Sequence, residues 1–310
     1  MKPVSNALSA IGNTPLVKLS KIVPYDSADV WLKLEYLNPT GSYKDRMALA
    51  MIEGAEKRGD LKPGMTVVEY TGGSTGSSIA FICAIKGYKF HVISSNVFAS
   101  EKLETMKIFG ADLEIINSAT GKIKSDLIQK MIDRAKQLSE KDDYYFTDQI
   151  NNSDIIKGFE KMGDEIQNQL EKPIHGFCSS IGTAGALMGV SNVLLRSKRK
   201  PKIVALEPES AAFYSKGIRN GKHQVEGVGL GFELPLLDKD NFNEARGIDE
   251  SEARLMVKKL AKHEGIFAGT STGLNLVGAL QLAKEIGKGR NVVTLACDSG
   301  FKYLNGNLFS

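Results

Sequence analysis

Thr66-Val67-Val68-Glu69-Tyr70-Thr71-Gly72-Gly73-Ser74-Thr75-Gly76 decides the fold. Its first part, Thr66–Glu69, does not alternate apolar with polar residues, which suits a strand buried on both faces. Small residues follow at once, and a helix is expected over 76–86. The same order recurs along the chain. Further strands are expected at Trp31–Leu37, Phe90–Ser94, Asp112–Ile116, Tyr144–Thr147, Gly176–Ser179, Ile203–Glu207 and Val292–Ala296. Further helices are expected at roughly 43–59, 100–109, 122–139, 154–170, 185–196, 250–263 and 273–286. Strand–helix alternation predicts an α/β fold, with a mostly parallel sheet covered by helices on both faces. Residues 209–248 break the pattern and predict a long loop of functional kind.

Composition narrows the function. The chain has 310 residues, 42% hydrophobic and 25% charged. That is room for two domains or one large α/β unit, and it excludes intrinsic disorder. No apolar run reaches the roughly 18–20 residues that span a bilayer, and the N-terminus lacks a secretory core, so a cytoplasmic protein is expected. A net charge of +4 is mild, and no aromatic residues interleave with the basic run Arg196–Lys200. Nucleic acid is therefore not an expected partner. Three distant cysteines make neither a disulfide framework nor a zinc site, and four histidines without HExxH spacing make no metal site.

Ligands of α/β sheets sit on loops that leave the carboxyl ends of strands. Three such loops stand out. In Asn38–Arg46, Lys44 falls in the first turn of a helix, where the macrodipole disfavours a cation. A lysine with a lowered pKa there suits Schiff-base formation, although pairing with Asp45 is the plainer alternative. In Thr71–Gly76, glycines and hydroxyls precede a helix start, where backbone N–H groups bind carboxylate or phosphate. In Cys178–Ala186, Gly182, Thr183 and Gly185 could cup a phosphate, without the Lys-Ser/Thr of a P-loop. Two anion cradles and such a lysine point to pyridoxal phosphate and an acid substrate. The loops alone leave a nucleotide open.

With these motifs in order, the whole chain resembles the cysteine synthase and cystathionine β-synthase family, fold type II of the pyridoxal phosphate enzymes. Ile11-Gly12-Asn13-Thr14-Pro15-Leu16 resembles the family's opening IGNTPL, and Asn38–Arg46 its N-P-x-G-S-x-K-D-R. The resemblance implies that Lys44 is the imine lysine and the α-proton base. Gly182, Thr183, Ala184, Gly185 and Ala186 resemble the phosphate loop GTGGT, with alanine at the third and fifth places. Ser299 matches the serine set against the pyridine nitrogen, where a neutral hydroxyl favours β-elimination and replacement over transamination. Gln149 matches the glutamine beside the substrate carboxylate.

The departures lie where substrate binds. The family's T-S-G-N-T-G is here Thr71-Gly72-Gly73-Ser74-Thr75-Gly76. Ser74 replaces the asparagine that holds the cofactor's 3′-oxygen, and Gly72 replaces a substrate-facing serine, which is expected to open space. The stretch Gly227–Pro235 is one residue longer than its counterpart and carries Glu233. That acid is either turned to solvent or a base acting on an incoming nucleophile, water or a thiol.

The resemblance implies a tryptophan synthase β-like architecture. Residues 39–149 would form a smaller mobile domain, and 1–38 with 150–310 a larger one that carries the phosphate loop. It also implies a homodimer without a heme-binding or nucleotide-sensing extension. The expected reaction is β-replacement through aminoacrylate, foremost O-acetylserine plus sulfide to cysteine. The alternative is a cysteine lyase that releases hydrogen sulfide and forms serine or a thioether. A regulatory protein on the same scaffold is a further possibility, and retention of Lys44 and the phosphate loop speaks against it.

Overall fold

A computed structural model of the chain describes residues 3–118, 121–122, 125–219, 221–306 and 308–309. Its strands are β1 (Leu16–Lys18), β2 (Asp29–Lys33), β3 (Thr66–Tyr70), β4 (Lys89–Ser94), β5 (Asp112–Ile115), β6 (Tyr144–Phe146), β7 (Gly176–Ser180), β8 (Lys202–Pro208), β9 (Glu244–Ile248) and β10 (Asn291–Leu295). Its helices are α1 (Lys44–Arg58), α2 (Ser74–Lys86), α3 (Ser100–Ile108), α4 (Ser125–Ser139), α5 (Asp154–Gln169), α6 (Gly185–Leu194), α7 (Phe213–Lys216), α8 (Glu250–Glu264) and α9 (Thr270–Ile286). None is long and apolar enough to cross a membrane, and no group of metal-ligating side chains occurs among the described residues.

The chain divides into two compact units. One joins Met1–Ile11 to Lys44–Ile155, and the other joins Gly12–Tyr43 to Ile156–Ser310. The first unit holds the four-stranded sheet β5-β4-β3-β6, parallel throughout. On β3, Val67 and Val68 are both fully buried although they point to opposite faces. That is why the run carries no polar alternation. Leu127, Met131, Ala135 and Leu138 form one stripe of α4 and pack with Val68 and Ile93. Burial of the leucines and the methionine contributes roughly 1.5–3 kcal/mol apiece.

The second unit holds the six-stranded sheet β1-β2-β10-β7-β8-β9. All its pairs are parallel except β1 with β2. Helix α9 is buried from Thr270 to Ala279 and joins a core that includes Val204, Leu206 and Val292. An almost wholly buried helix beside parallel strands is the arrangement the α/β pattern predicts.

Three elements lay outside the sequence reading. β1 is three residues long, and β9 reads Glu-Ala-Arg-Gly-Ile, an edge strand with charges and a glycine. α7 has a single turn. β9 and α7 both fall inside residues 209–248, so that stretch is partly regular. Helix α2 also starts two residues earlier than expected, so Ser74 and Thr75 belong to its first turn.

Candidate active site

In the second unit, β7 delivers the chain into Ile181–Ala184, and α6 begins at Gly185. Every residue from Gly182 to Ala186 is buried. No side chain caps α6, and the first bond of its turn runs from Met188 N–H to Ala184 O at 3.0 Å. The N–H groups of a first turn have no acceptor within their own helix. No acid lies in the loop. Ser180 Oγ, one residue before it, is buried without a hydrogen-bond partner. A neutral, buried, uncapped helix start with spare donors fits a phosphate group. Ala184 holds φ +69°, a left-handed conformation at the place where a glycine is usual.

The second feature of this unit is a short ladder at residues 41–43. Ser42 bridges Asp298, Tyr43 N–H donates to Cys297 O at 2.9 Å, and Ser299 N–H donates to Gly41 O at 2.9 Å. Gly41 has φ +73°, and a Cβ there would already touch Ser299 Cβ at 3.4 Å. Ser299 Oγ accepts from Phe301 N–H at 3.3 Å. Its hydroxyl proton therefore remains to be donated, and a ring nitrogen that carries a lone pair is a suitable acceptor. Lys44 follows this ladder along the chain as the first residue of α1 and is half-buried.

The first unit holds the other loop. Thr71 N–H donates to Ile93 O at 3.0 Å, and Gly73 N–H to Thr71 Oγ1 at 3.2 Å. Gly73 caps α2 with backbone only. Gln149 braces both ends: its Nε2 donates to Tyr70 O at 3.2 Å and its Oε1 accepts from Thr75 Oγ1 at 2.8 Å. Thr71, Gly72, Gly73, Ser74, Thr75 and Gln149 thus form one cluster, with Thr71 and Thr75 buried. Gly72 does not open space as its sequence implied, because the Phe98 ring fills the volume a side chain would take.

A model of pyridoxal-phosphate dependent enzymes matches residues 7–298. The chain belongs to that family. This family member is 40% identical to a cysteine synthase of Staphylococcus aureus over 311 aligned positions, with 100% of this chain and 98% of the relative covered. Its fold superposes on O-ureido-L-serine synthase with a TM-score of 0.92 at 31% identity, covering 99% of this chain and 96% of that one. A hydrogen sulfide-producing enzyme from Fusobacterium nucleatum gives 0.91 at 30%, covering 98% and 99%. The architecture is that of fold type II, and the cofactor is pyridoxal 5′-phosphate.

Glu233 is turned to solvent. Its side chain is 67% exposed and paired with Lys239 at 2.6 Å. The Lys239 ammonium holds its carboxyl below the usual range, the opposite of a base poised near neutrality.

Two residues of this family member carried no assigned role in the sequence reading. Glu69, at the end of β3, is fully buried. It accepts from Thr147 Oγ1 at 2.6 Å, Gln149 N–H at 3.1 Å and Tyr70 N–H at 3.0 Å. Burial pushes its carboxyl up to about 8, against those hydrogen bonds, which pull it down. Asn275, fully buried in α9, accepts from Ser180 N–H at 2.7 Å and donates to Leu295 O at 2.9 Å and Cys297 Sγ at 3.3 Å. It ties Ser180, at the base of the loop that leads into α6, to the segment that leads to Ser299. A carboxylate ending an apolar strand and an amide inside an apolar helix face were the available signals.

Proposed function

We propose that this protein catalyses β-replacement on a β-substituted L-amino acid, with O-acetyl-L-serine and sulfide giving L-cysteine and acetate. The observation that carries this reading is the pair of helix starts without side-chain caps, half-buried at Ser74 beside hydroxyls and an amide, and buried at Gly185. The second takes the cofactor phosphate on Gly182, Thr183, Ala184, Gly185 and Ala186. Ser299 donates to the ring nitrogen, and Ser74 lies nearest in kind to the donor expected for the 3′-oxygen. The bound cofactor supplies an electron sink for the carbanion at Cα.

The chain's own residues do the rest. Thr71, Gly72, Gly73 and Thr75, with Gln149, orient the substrate carboxylate through N–H, hydroxyl and amide donors. Lys44 would hold the cofactor through its amine, and it moves the proton at Cα, taking it off and returning it once the nucleophile has been added at Cβ. The unit that holds most of residues 39–149 acts as the smaller mobile domain, the unit that holds most of 1–38 with 150–310 acts as the larger, and the protein works as a cytoplasmic homodimer. The hydrogen sulfide-producing neighbour favours a second reading, in which L-cysteine loses sulfide and water or a thiol replaces it.

The test is to supply O-acetylserine with sulfide, L-cysteine alone, and serine with homocysteine, and to identify products by mass. Cysteine from the first pair is expected, with Lys44→Ala slower by about 10²–10⁴-fold. No cysteine from that pair overturns the synthase reading, and serine or a thioether from L-cysteine establishes the second. Glu233→Gln is expected to leave turnover and its pH profile unchanged, and a lost limb of that profile would give Glu233 a part in the chemistry.

A further inference from the structure

Gly72 has no room for a side chain. A Cβ built there would lie 1.9 Å from Phe98 Cγ, 2.1 Å from Cδ2 and 2.3 Å from Cδ1. Cγ is the root of the ring and moves only if the whole side chain leaves. Phe98 is not free to do so cheaply. Its N–H donates to Ser95 O at 3.3 Å, and its ring packs against the cluster of Val68, Ile93 and Leu127. Met106, on the helix that follows, reaches Gly76 with the end of its flexible side chain, its Cε 2.5 Å and the Thr71 Cγ2 2.7 Å from where a Cβ would be. One segment therefore covers the loop at both glycines, and Gly72 is the counterpart of the Phe98 ring.

We propose that Phe98 is a specificity-determining residue of the amino-acid site. Its ring stands where residue 72 would carry a side chain, so the loop presents backbone N–H groups, the Thr71 and Thr75 hydroxyls, and an aromatic wall in place of a third hydroxyl. This rests on the reading of Thr71–Thr75 as the carboxylate loop. An apolar wall cannot hydrogen-bond a substrate and discriminates by size and shape. One missing apolar contact in such a pocket changes discrimination by roughly 10–200-fold.

Four holoproteins test it: wild type, Gly72→Ser, Phe98→Ala and the double variant. Gly72→Ser is expected to lower the urea midpoint and to raise the KM for O-acetyl-L-serine about 10-fold, because an overpacked site displaces its neighbours. The double variant should return to the midpoint of Phe98→Ala alone, a non-additivity that only contacting residues show. Phe98→Ala should also shift the ratio of kcat/KM for O-acetyl-L-serine over L-cysteine by about 10-fold. Phe98→Leu serves where the alanine variant does not fold. Additive midpoints, or an unchanged ratio, overturn the proposal. An unchanged donor KM in Thr75→Ala would instead overturn the carboxylate-loop reading, while the midpoints would still report on the ring and the glycine.

Discussion

The loops at 71–75 and 182–186 begin alike and are finished differently. Each leaves a buried parallel strand, and each opens a helix without a side-chain cap. Around the first, side chains crowd in: Gln149 bridges its two ends, Glu69 sits at its root, and Phe98 fills the space beside Gly72. Among the described residues no side chain hydrogen-bonds the second; Asn275 holds Ser180 at its base, and Gly229 N–H donates to Ile181 O at 3.2 Å. The difference fits the two roles proposed for the loops. A phosphate needs inward N–H groups and a positive helix end, whichever of its oxygens it presents. An amino acid must be held in one orientation, and that takes directional side chains.

Glu69, which accepts from Gln149 N–H beside the first loop, is the sharpest point at which to break this contrast. Burial pushes its carboxyl up to about 8 in the folded chain, well above the ordinary value for glutamate. The folded state thus keeps a proton that the unfolded state gives up from about pH 4.5 upward. Stability must then fall as pH rises toward 8, by up to about 1.4 kcal/mol per pH unit, and this contribution levels off above it. Glu69→Gln keeps the shape of the neutral acid. Its amide nitrogen cannot accept as a carboxyl oxygen does, so the variant starts less stable, but it should lose less stability than wild type between pH 5 and pH 9, as read from urea midpoints across the range. Parallel pH profiles would show that Glu69 is ionised in the native protein.

Asn275 gives the next largest effect, and it concerns the other loop. Asn275→Ala leaves Ser180 N–H and Leu295 C=O buried and unpaired, at about 1–3 kcal/mol for each such group. We expect a fall of about 2–4 kcal/mol in unfolding free energy, with weaker retention of pyridoxal phosphate measured by absorbance after dialysis. Loss of stability with unchanged retention would mean that the second loop holds its shape without this support.

These two residues also show where sequence reading stops. The central strands and the three loops were legible because local chemistry writes them: β-branched runs buried on both faces, and glycines before helix starts. Lys44, the phosphate loop and Ser299 were marked by their motifs. Glu69 and Asn275 act on partners 80 and 95 residues away, and no local pattern encodes such a distance. Gly72 shows the same limit from the other side. The missing side chain was visible, but the ring that replaces it comes from another turn of the chain. β9 escaped because an edge strand is protected by the charges that hide it from a hydrophobic pattern.

The smallest effect concerns backbone strain. Among the described residues, Asn13, Asp148 and Ala184 are the non-glycine residues with positive φ, and Asp148 directly precedes Gln149. Asparagine and aspartate tolerate this region because their side chains bond locally, as Asp148 does with Asn151 Nδ2 at 2.9 and 2.8 Å. Alanine has no such compensation and carries a cost of roughly 1–2 kcal/mol at φ +69°. Ala184→Gly removes that strain, gives up one buried methyl group, and adds flexibility to the unfolded chain. The last two together offset about 1.2–1.8 kcal/mol of the strain, so the unfolding free energy in urea is expected to stay within about 1 kcal/mol of wild type. If the second loop really works by backbone alone, this substitution should leave pyridoxal phosphate retention and turnover within about 2-fold of wild type, because the N–H groups keep their directions. A larger loss of stability would show instead that the Ala184 methyl packs well enough to outweigh its conformation, and that this loop, like the first, depends on a side chain.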